Sequence, residues 1–299
     1  MPLPDPSATF FGLDARTLRF MEAHQVRAVT IPGRGWRDLG DAVLLFSAIE
    51  KEPFFNRLVA VRWPSHPGAF DARLRETCDL FKALERRPYV WAVPGFSEPD
   101  DLIARLAANG FVDQGGGFDM VLVREPGAAT DRSLPDGSVL EHWNRSTGEE
   151  IPARADALAR VIGESFDIPS SRHANLVREI SLTLGRPDFH GYVISVDGEP
   201  VATGQRYTFD GASYLSSIGT RPGWRGRGFG AHITRVLVGD SRAEGVDLIY
   251  LGVYADNTAA IRLYQRLGFA ILGGRSADML RPCRSEISAE RSMPGHSQD

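Results

Sequence analysis

The chain of 299 residues is longer than a typical domain of roughly 100 to 200 residues, so its length predicts two domains. Apolar residues make up 42% and charged residues 24% of the sequence, the composition of an ordinary globular protein with a packed core. The formal net charge of −4 gives no overall basic field, which disfavours nucleic acid as the main partner.

Cysteine spacing and apolar runs exclude several special classes of protein. Cys78 and Cys283 show no metal-ligand spacing, so we expect two unpaired thiols in a reducing compartment and no metal. The N-terminus lacks the basic and apolar segments of a signal peptide. No apolar run approaches the roughly 18 residues of a membrane span. We therefore expect a soluble cytoplasmic protein with no membrane partner.

Residues 1–125 form the first predicted domain. Apolar periodicity predicts helices over 13–23, 70–84 and 97–109, and strands over 41–49, 56–63, 89–93, 111–113 and 118–123. Strands 41–49 and 56–63 are expected to lie side by side, because a short turn separates them. Residues 126–137 are rich in Gly, Ala, Pro, Asp and Ser and are the predicted linker.

Residues 138–283 form the second predicted domain. Its predicted strands cover 139–143, 192–196, 201–208, 213–220, 247–254, 269–273 and 277–280, and its predicted helices cover 154–166, 172–184, 231–244 and 257–267. Asp197 and Gly198 mark a hairpin turn, because this pair adopts the positive φ angles that a tight turn needs. The polar residues 284–299 are a predicted disordered tail.

An internal repeat links the two halves. Residues 100–120 align with residues 258–279 as a helix, a Gly-Phe stop, a glycine-containing turn and a closing Asp-Met pair. Gly110 corresponds to Gly268, and Met120 corresponds to Met279. One inserted residue is needed in the second copy. The repeat predicts that both halves share one fold.

The most informative stretch is 216–231, SSIGTRPGWRGRGFGA. A predicted strand ends in a turn rich in glycine and arginine, and a helix pattern begins at once. Glycines at 226, 228 and 230 let the main chain approach a ligand closely, and a helix N-terminus presents N–H groups to an anion. Arg225 and Arg227 add positive charge. The stretch therefore predicts a pyrophosphate site.

Two other interpretations of this stretch stay open. Gly226, Gly228 and Ala231 also satisfy the dinucleotide fingerprint G-x-G-x-x-A. The context disfavours that site, because the preceding strand belongs to a hairpin meander and no acid follows the next strand at the expected distance. The second alternative is a flexible basic turn without a ligand.

The motif resembles the acetyl-CoA signature of the GCN5-related N-acetyltransferases, Val-x-Pro-x-x-Arg/Gln-x-x-Gly-x-Gly/Ala. Thr220 stands where the family usually has Val, and the other matching residues are Pro222, Arg225, Gly228 and Gly230. A second family element, an Asn followed by a helix with a Tyr before a Gly-Phe stop, is matched by Asn257, Ala260, Tyr264, Gly268 and Phe269. The resemblance covers roughly residues 139–280.

The resemblance implies a mixed α/β fold with a largely antiparallel central sheet flanked by helices, in two tandem acyl-CoA N-acyltransferase-like domains. It implies acetyl-CoA as co-substrate, with the pantetheine arm between two parallel strands that part, 213–220 and 247–254. It also implies that Tyr264 protonates the departing thiolate. The implied cofactor-binding residues are Ile218, Gly219, Thr220, Arg225, Gly226, Arg227, Gly228, Phe229, Gly230, Ala231, Asn257, Ala260 and Tyr264.

Other roles stay open for two of these residues, and the general base is unassigned. Tyr264 is alternatively a packing residue, and Asn257 a helix N-cap. Many relatives carry a Glu on the strand before the signature, but 213–220 contains no acid. Candidates for the base are Glu164, Asp167, Glu199 and Ser217, with His190 and His232 as weaker ones.

The first half resembles a degenerate copy. Where the signature belongs, residues 62–69 hold one glycine and two prolines, and proline lacks an N–H donor. Leu106 stands at the position of Tyr264, and Pro99 at that of Asn257. We expect this domain to bind no acetyl-CoA and to serve as support or as a wall of the acceptor site.

The predicted function is an acetyl-CoA-dependent N-acetyltransferase that moves an acetyl group by direct transfer to a small-molecule or peptide amine. The alternative is a non-catalytic acyl-CoA-binding or sensing protein. The acceptor and the oligomeric state are not encoded in any motif of the sequence.

Overall fold

The computed structural model describes residues 15–127 and 134–282, which divide into two compact units. The N-terminal unit contains the described residues up to 117 and those from 273 onward, and the C-terminal unit contains the described residues 118–272. Cys283, the predicted tail, the start of the first predicted helix and residues 128–133 of the predicted linker lie outside the described residues. No helix among the described residues has the length and apolar character to cross a membrane.

Seven α-helices and thirteen strands are described. The helices are α1 Ala15–Ala28, α2 Pro67–Ala83, α3 Leu102–Ala108, α4 Glu150–Ser165, α5 His173–Leu184, α6 Phe229–Ala243 and α7 Thr258–Arg266. The strands are β1 Arg34–Asp38, β2 Val43–Ser47, β3 Arg57–Val59, β4 Tyr89–Ala92, β5 Val112–Asp113, β6 Gly117–Leu122, β7 Ser138–Asn144, β8 Phe189–Val196, β9 Glu199–Phe209, β10 Ala212–Thr220, β11 Leu248–Tyr254, β12 Phe269–Leu272 and β13 Ala277–Leu280.

The N-terminal unit is built on a six-stranded sheet in the order β1-β2-β3-β4-β13-β5. β2 and β3 are antiparallel neighbours, as the short turn between them predicts. β3 and β4 run parallel. The sequence missed β1, because its residues RGWRD are largely exposed at the sheet edge and show no apolar alternation. Phe70 and Phe81 of α2 belong to the apolar core of this unit.

The C-terminal unit is built on a seven-stranded sheet in the order β12-β6-β11-β10-β9-β8-β7. β7, β8, β9 and β10 form an antiparallel meander. The turn between β8 and β9 has φ of 51° at Asp197 and 82° at Gly198, which is the two-residue hairpin that this pair predicts. β10 and β11 run parallel. The predicted mixed α/β fold with a largely antiparallel sheet is confirmed in both units.

The two halves of the chain exchange their closing strands. β6, from the first half, pairs with β12 in the C-terminal unit. β13, from the end of the described chain, pairs with β4 and β5 in the N-terminal unit. The equivalent residues Met120 and Met279 are buried in the cores of the C-terminal and N-terminal units respectively.

The compact units therefore do not end where the predicted domains end. Residues 118–122 fold with the second half, and residues 277–280 fold with the first half. The physical reason is that β6 and β13 are sequence equivalents, and a local pattern does not specify which of two similar sheets an equivalent strand joins.

Candidate functional site

A cleft of about 840 Å³ opens in the C-terminal unit where β10 meets α6 and α7. Every residue that the resemblance assigns to cofactor binding lines this cleft, except Arg227. Two segments that are distant in the sequence, 218–231 and 257–264, thus come together around one space. Their roles toward a ligand stay predictions.

The cleft begins where two parallel strands part. β10 and β11 pair from Ala212 with Leu248 to Leu215 with Leu251, and no further pair joins them. On the other side of β10, the register with β9 shifts between Ser216 and Gly219, and Ser217 has a φ of 48°. This bulge turns residues 216–220 away from β11. Main-chain groups of Ile218 and Thr220 therefore stand at the edge of an open space.

The turn after β10 has the backbone that an anion site requires. Gly226 and Gly228 have φ of 80° and 94°, a region that glycine adopts without steric cost. Gly228 is the N-cap of α6, so the first N–H groups of this 15-residue helix follow it directly. The N–H groups and the helix dipole favour a negatively charged ligand here.

Arginine side chains hold this turn in place. The guanidinium of Arg225 donates to the carbonyl oxygen of Thr220 at 3.2 Å and to that of Ser165 at 3.0 Å. Arg227 instead stacks its guanidinium 4.6 Å above the ring of Trp224. This stacking explains why Arg227 alone of the predicted residues is absent from the cleft lining.

The charges around the cleft have one sign. Arg225, Arg235 and Arg266 line it, and its described lining residues include no Asp, Glu or His. Elsewhere among the described residues, no group of three or more His, Cys, Asp and Glu is arranged to hold a metal ion. The cleft therefore suits an anionic ligand.

Tyr264 reaches the cleft from α7. Its side chain is 7% exposed and its ring meets that of Phe269 edge-on, with centroids 6.0 Å apart. Burial, with a smaller contribution from Tyr214, raises the pKa of Tyr264 above its usual range. The hydroxyl is therefore protonated at neutral pH. Asn257 lines the cleft and also caps α7, because its Oδ1 accepts from the Ala260 N–H at 3.1 Å.

The predicted candidates for a general base lie outside the cleft lining. Glu164 Oε2 accepts from Arg221 Nε at 2.7 Å, and Glu199 forms an ion pair with the same guanidinium. Asp167 is exposed, and Ser217 is the residue of the β10 bulge. His232 lies in the first turns of α6. The base therefore stays unassigned.

His190 belongs to a polar network away from the cleft lining. Its Nδ1 lies 3.0 Å from His142 Nε2 and 3.2 Å from Arg206 Nη2. Arg206 is fully buried, pairs with Glu244 and donates from Nε to the Tyr192 hydroxyl at 3.1 Å. Burial and the Arg206 charge lower the pKa of His190 to about 4. These partners indicate a structural role for His190 rather than a catalytic one.

The N-terminal unit has a counterpart of the strand–turn–helix segment, without the features of an anion site. Residues 60–66 between β3 and α2 contain no glycine, and α2 begins at Pro67, which has no N–H. Ala60 has a φ of 55°, and its N–H donates to Glu22 Oε2 at 3.1 Å. Leu106, the counterpart of Tyr264, is fully buried in the apolar core.

The sequence did not identify several lining residues. Ser165 and Phe166 reach the cleft from the end of α4, and Arg235 and Arg266 from the helices that flank it. No motif covers the end of α4, and tertiary packing alone brings it to the cleft. One signal in the sequence was the glycine at position 219, because a glycine in a strand often marks a close approach by another segment. A Cβ at Gly219 would lie 2.7 Å from Ser165 Cβ, so the missing side chain permits the end of α4 to approach β10 closely.

Comparison with known proteins agrees with the geometry. Residues 156–269 match the model of the acetyltransferase (GNAT) family. The chain is 37% identical over 145 residues to a mycothiol acetyltransferase of Saccharopolyspora erythraea, covering 47% of this chain and 46% of the relative. It is 27% identical over 216 residues to one of Streptomyces avermitilis, covering 69% and 66%. The chain thus spans about half to two thirds of these relatives' lengths.

Solved structures share the fold over most of the chain. A GCN5-related N-acetyltransferase from Kribbella flavida has a TM-score of 0.65 at 21% identity, covering 93% of this chain and 98% of its own. A tandem GNAT protein from the clavulanic acid biosynthesis pathway has a TM-score of 0.59 at 16% identity, covering 84% and 83%. At these identities the likeness shows the fold alone. Residues 156–269 thus match the acetyltransferase (GNAT) family, and the solved structures share the two-unit fold.

Proposed function

We propose that the chain is an acetyl-CoA-dependent N-acetyltransferase that moves an acetyl group to a primary amine by direct transfer. The observation that carries the proposal is the start of α6, where two glycines with positive φ open onto the cleft at the point where β10 and β11 part. Pyrophosphate and pantetheine require these two features side by side.

The residues present fit acetyl-CoA. The N–H groups that begin α6 and the charge of Arg225 would hold the pyrophosphate, with Arg235 and Arg266 adding positive charge nearby. Main-chain groups of Ile218 and Thr220 would hold the pantetheine arm. Acetyl-CoA supplies an activated acyl thioester, and the protein supplies its position.

Tyr264 is the proposed general acid. Its buried hydroxyl has a raised pKa and lines the cleft, so it carries the proton that a departing thiolate needs. Ordering the thioester and the acceptor amine in one complex supplies much of the remaining acceleration.

The proposed acceptor is a small-molecule amine, with a peptide amine as the next candidate. The two curated relatives described above are named mycothiol acetyltransferases. Two further matches, over 57 residues, are named for L-methionine sulfoximine and L-methionine sulfone. These names favour a small acceptor. We further propose a cytoplasmic location and an N-terminal unit that binds no acetyl-CoA.

The test uses the purified full chain. Calorimetric titration with CoA and acetyl-CoA measures binding, and release of free thiol measures turnover with amino acids, amino sugars, aminoglycosides, polyamines, peptides and the amine that mycothiol acetyltransferases use. We expect binding of both ligands and thiol release with at least one amine. Binding without thiol release from any amine would favour the sensing alternative, and no binding would overturn the proposal.

A further inference from the structure

Ser165, the last residue of α4, differs from four serines and threonines in α5 and α6. Ser181, Thr183, Thr234 and Ser241 each donate to the carbonyl oxygen four residues earlier, at 2.7 to 2.8 Å. The Oγ of Ser165 is buried and makes no hydrogen bond to any described residue. A buried hydroxyl without a partner is unfavourable, so this position calls for an explanation.

The position of Ser165 is fixed on three sides. Its carbonyl oxygen accepts from Arg225 Nη2 at 3.0 Å, which ties the end of α4 to the glycine-rich turn. The next N–H, of Phe166, bonds the Ile162 carbonyl at 3.0 Å. A Cβ added at Gly219 would lie 2.8 Å from Ser165 Oγ, so the hydroxyl faces the strand segment where β10 leaves β11. The Ser165 side chain is therefore held against the strand segment at Gly219, and its residue borders the cleft.

Gly219 lies between Ile218 and Thr220, the residues proposed to hold the pantetheine arm, and Ser165 lines the same cleft. The acyl-CoA arm carries carbonyl oxygens at its thioester and at its amides, and each accepts a hydrogen bond. We propose that Ser165 Oγ donates a hydrogen bond to a carbonyl oxygen of the bound acyl-CoA arm. This inference rests on the proposed function of the cleft and adds a positioning residue that no motif contains.

Ser165→Ala removes the donor, and Ser138→Ala is the matched control. Ser138, at the start of β7 in the same unit, also has a buried Oγ without a hydrogen-bond partner among the described residues, and it does not line the cleft. Because neither hydroxyl has such a partner, we expect both variants to be at least as stable as the unmodified protein in thermal unfolding without ligand. Only Ser165→Ala should change the response to ligand.

Two outcomes support the proposal and identify the carbonyl. A bond to the thioester oxygen strengthens as negative charge develops there, so Ser165→Ala would lower kcat about 10-fold to 100-fold with CoA affinity unchanged. A bond to an amide oxygen would instead weaken CoA and acetyl-CoA alike, by about 3-fold to 10-fold. Calorimetric titration and thiol release measure both.

The proposal is overturned if Ser165→Ala binds and turns over as the Ser138→Ala control does. It is also overturned if both variants lose the same activity, because the loss would then follow from removing any buried hydroxyl. The unmodified protein, measured in parallel, tests the proposed function separately. Failure of the unmodified protein to bind CoA refutes that function, whereas failure of this inference leaves CoA binding intact.

Discussion

The strand–turn–helix segment from β10 to α6 and its counterpart from β3 to α2 start from similar backbones. Both follow a strand that pairs in parallel with its neighbour, and both include a non-glycine residue with positive φ, Ser217 and Ala60. Beyond that point they differ. Between β10 and α6 stand Gly223, Gly226 and Gly228, whereas the N-terminal segment has no glycine between β3 and Pro67.

The two segments also differ in what their main-chain N–H groups contact. In the N-terminal unit, Glu22 from α1 accepts the N–H of Ala60. In the C-terminal unit, the corresponding stretch faces a cleft lined by arginines. The comparison teaches that one fold supports either an open cleft or a packed core. The two segments differ in a few turn residues and in one internal carboxylate.

The largest expected effect comes from Tyr264→Phe. Removing the proposed proton donor should lower kcat about 10²-fold to 10⁴-fold, because the thiolate would depart without protonation. The ring and its packing on Phe269 stay, so CoA affinity should change less than about twofold. Steady-state kinetics and calorimetry measure the two quantities. Unchanged turnover would remove Tyr264 as general acid.

Gly228→Asp should weaken acetyl-CoA binding about 100-fold, because a carboxylate would stand beside the proposed phosphate position. Gly228→Asn is the control for backbone strain, since Asn adopts positive φ about as readily as Asp and carries no charge. Gly68→Asp places the same charge at the start of α2 and should leave affinity unchanged. Titration of the three variants measures the contrast, and equal affinities at position 228 for Asn and Asp would contradict a charge effect.

Glu22→Ala should destabilise the N-terminal unit by about 1 to 3 kcal/mol, because the buried Ala60 N–H loses its acceptor. Urea unfolding followed by tryptophan fluorescence measures the change. CoA affinity of the full chain should stay the same. If this variant bound CoA in its N-terminal unit, Glu22 alone would account for the absence of CoA binding there. The missing glycines would then not be the reason.

Acidification should change the stability of the two units in opposite directions, with a small net change in the stability of the whole chain. Burial lowers the pKa of His190 to about 4, so its contribution to stability is complete above pH 6.5 and is lost as the pH falls toward 4. Burial raises the pKa of Asp278 to about 6, so its contribution is complete below pH 3.8 and is lost as the pH rises through 6.

Native-state hydrogen exchange at pH 7 and pH 5 distinguishes the two contributions. At pH 5, strands around His190 should exchange faster, and strands around Asp278 more slowly, after correction for intrinsic rates. His190→Gln should remove the first change and leave the second. Parallel changes in both units would contradict the opposed assignment.

Sequence reasoning found the features that are encoded locally. The Asp197–Gly198 turn and the glycine-rich start of α6 depend on backbone angles that a few neighbouring residues determine. Ser165 was missed, because its place beside Gly219 results from packing between elements about 50 residues apart. The edge strand β1 was missed because three of its five residues are exposed, which leaves no apolar alternation to detect.

The exchange of closing strands has a consequence for how the chain is made. The N-terminal unit lacks β13, which lies between β4 and β5, until the last described residues leave the ribosome. A fragment beginning at β7 would likewise lack β6, which lies between β11 and β12. Each unit would then have unpaired strand edges inside its sheet, which favour aggregation. Removing the first half is therefore not a route to a smaller folded protein, because the two halves complete each other's sheets.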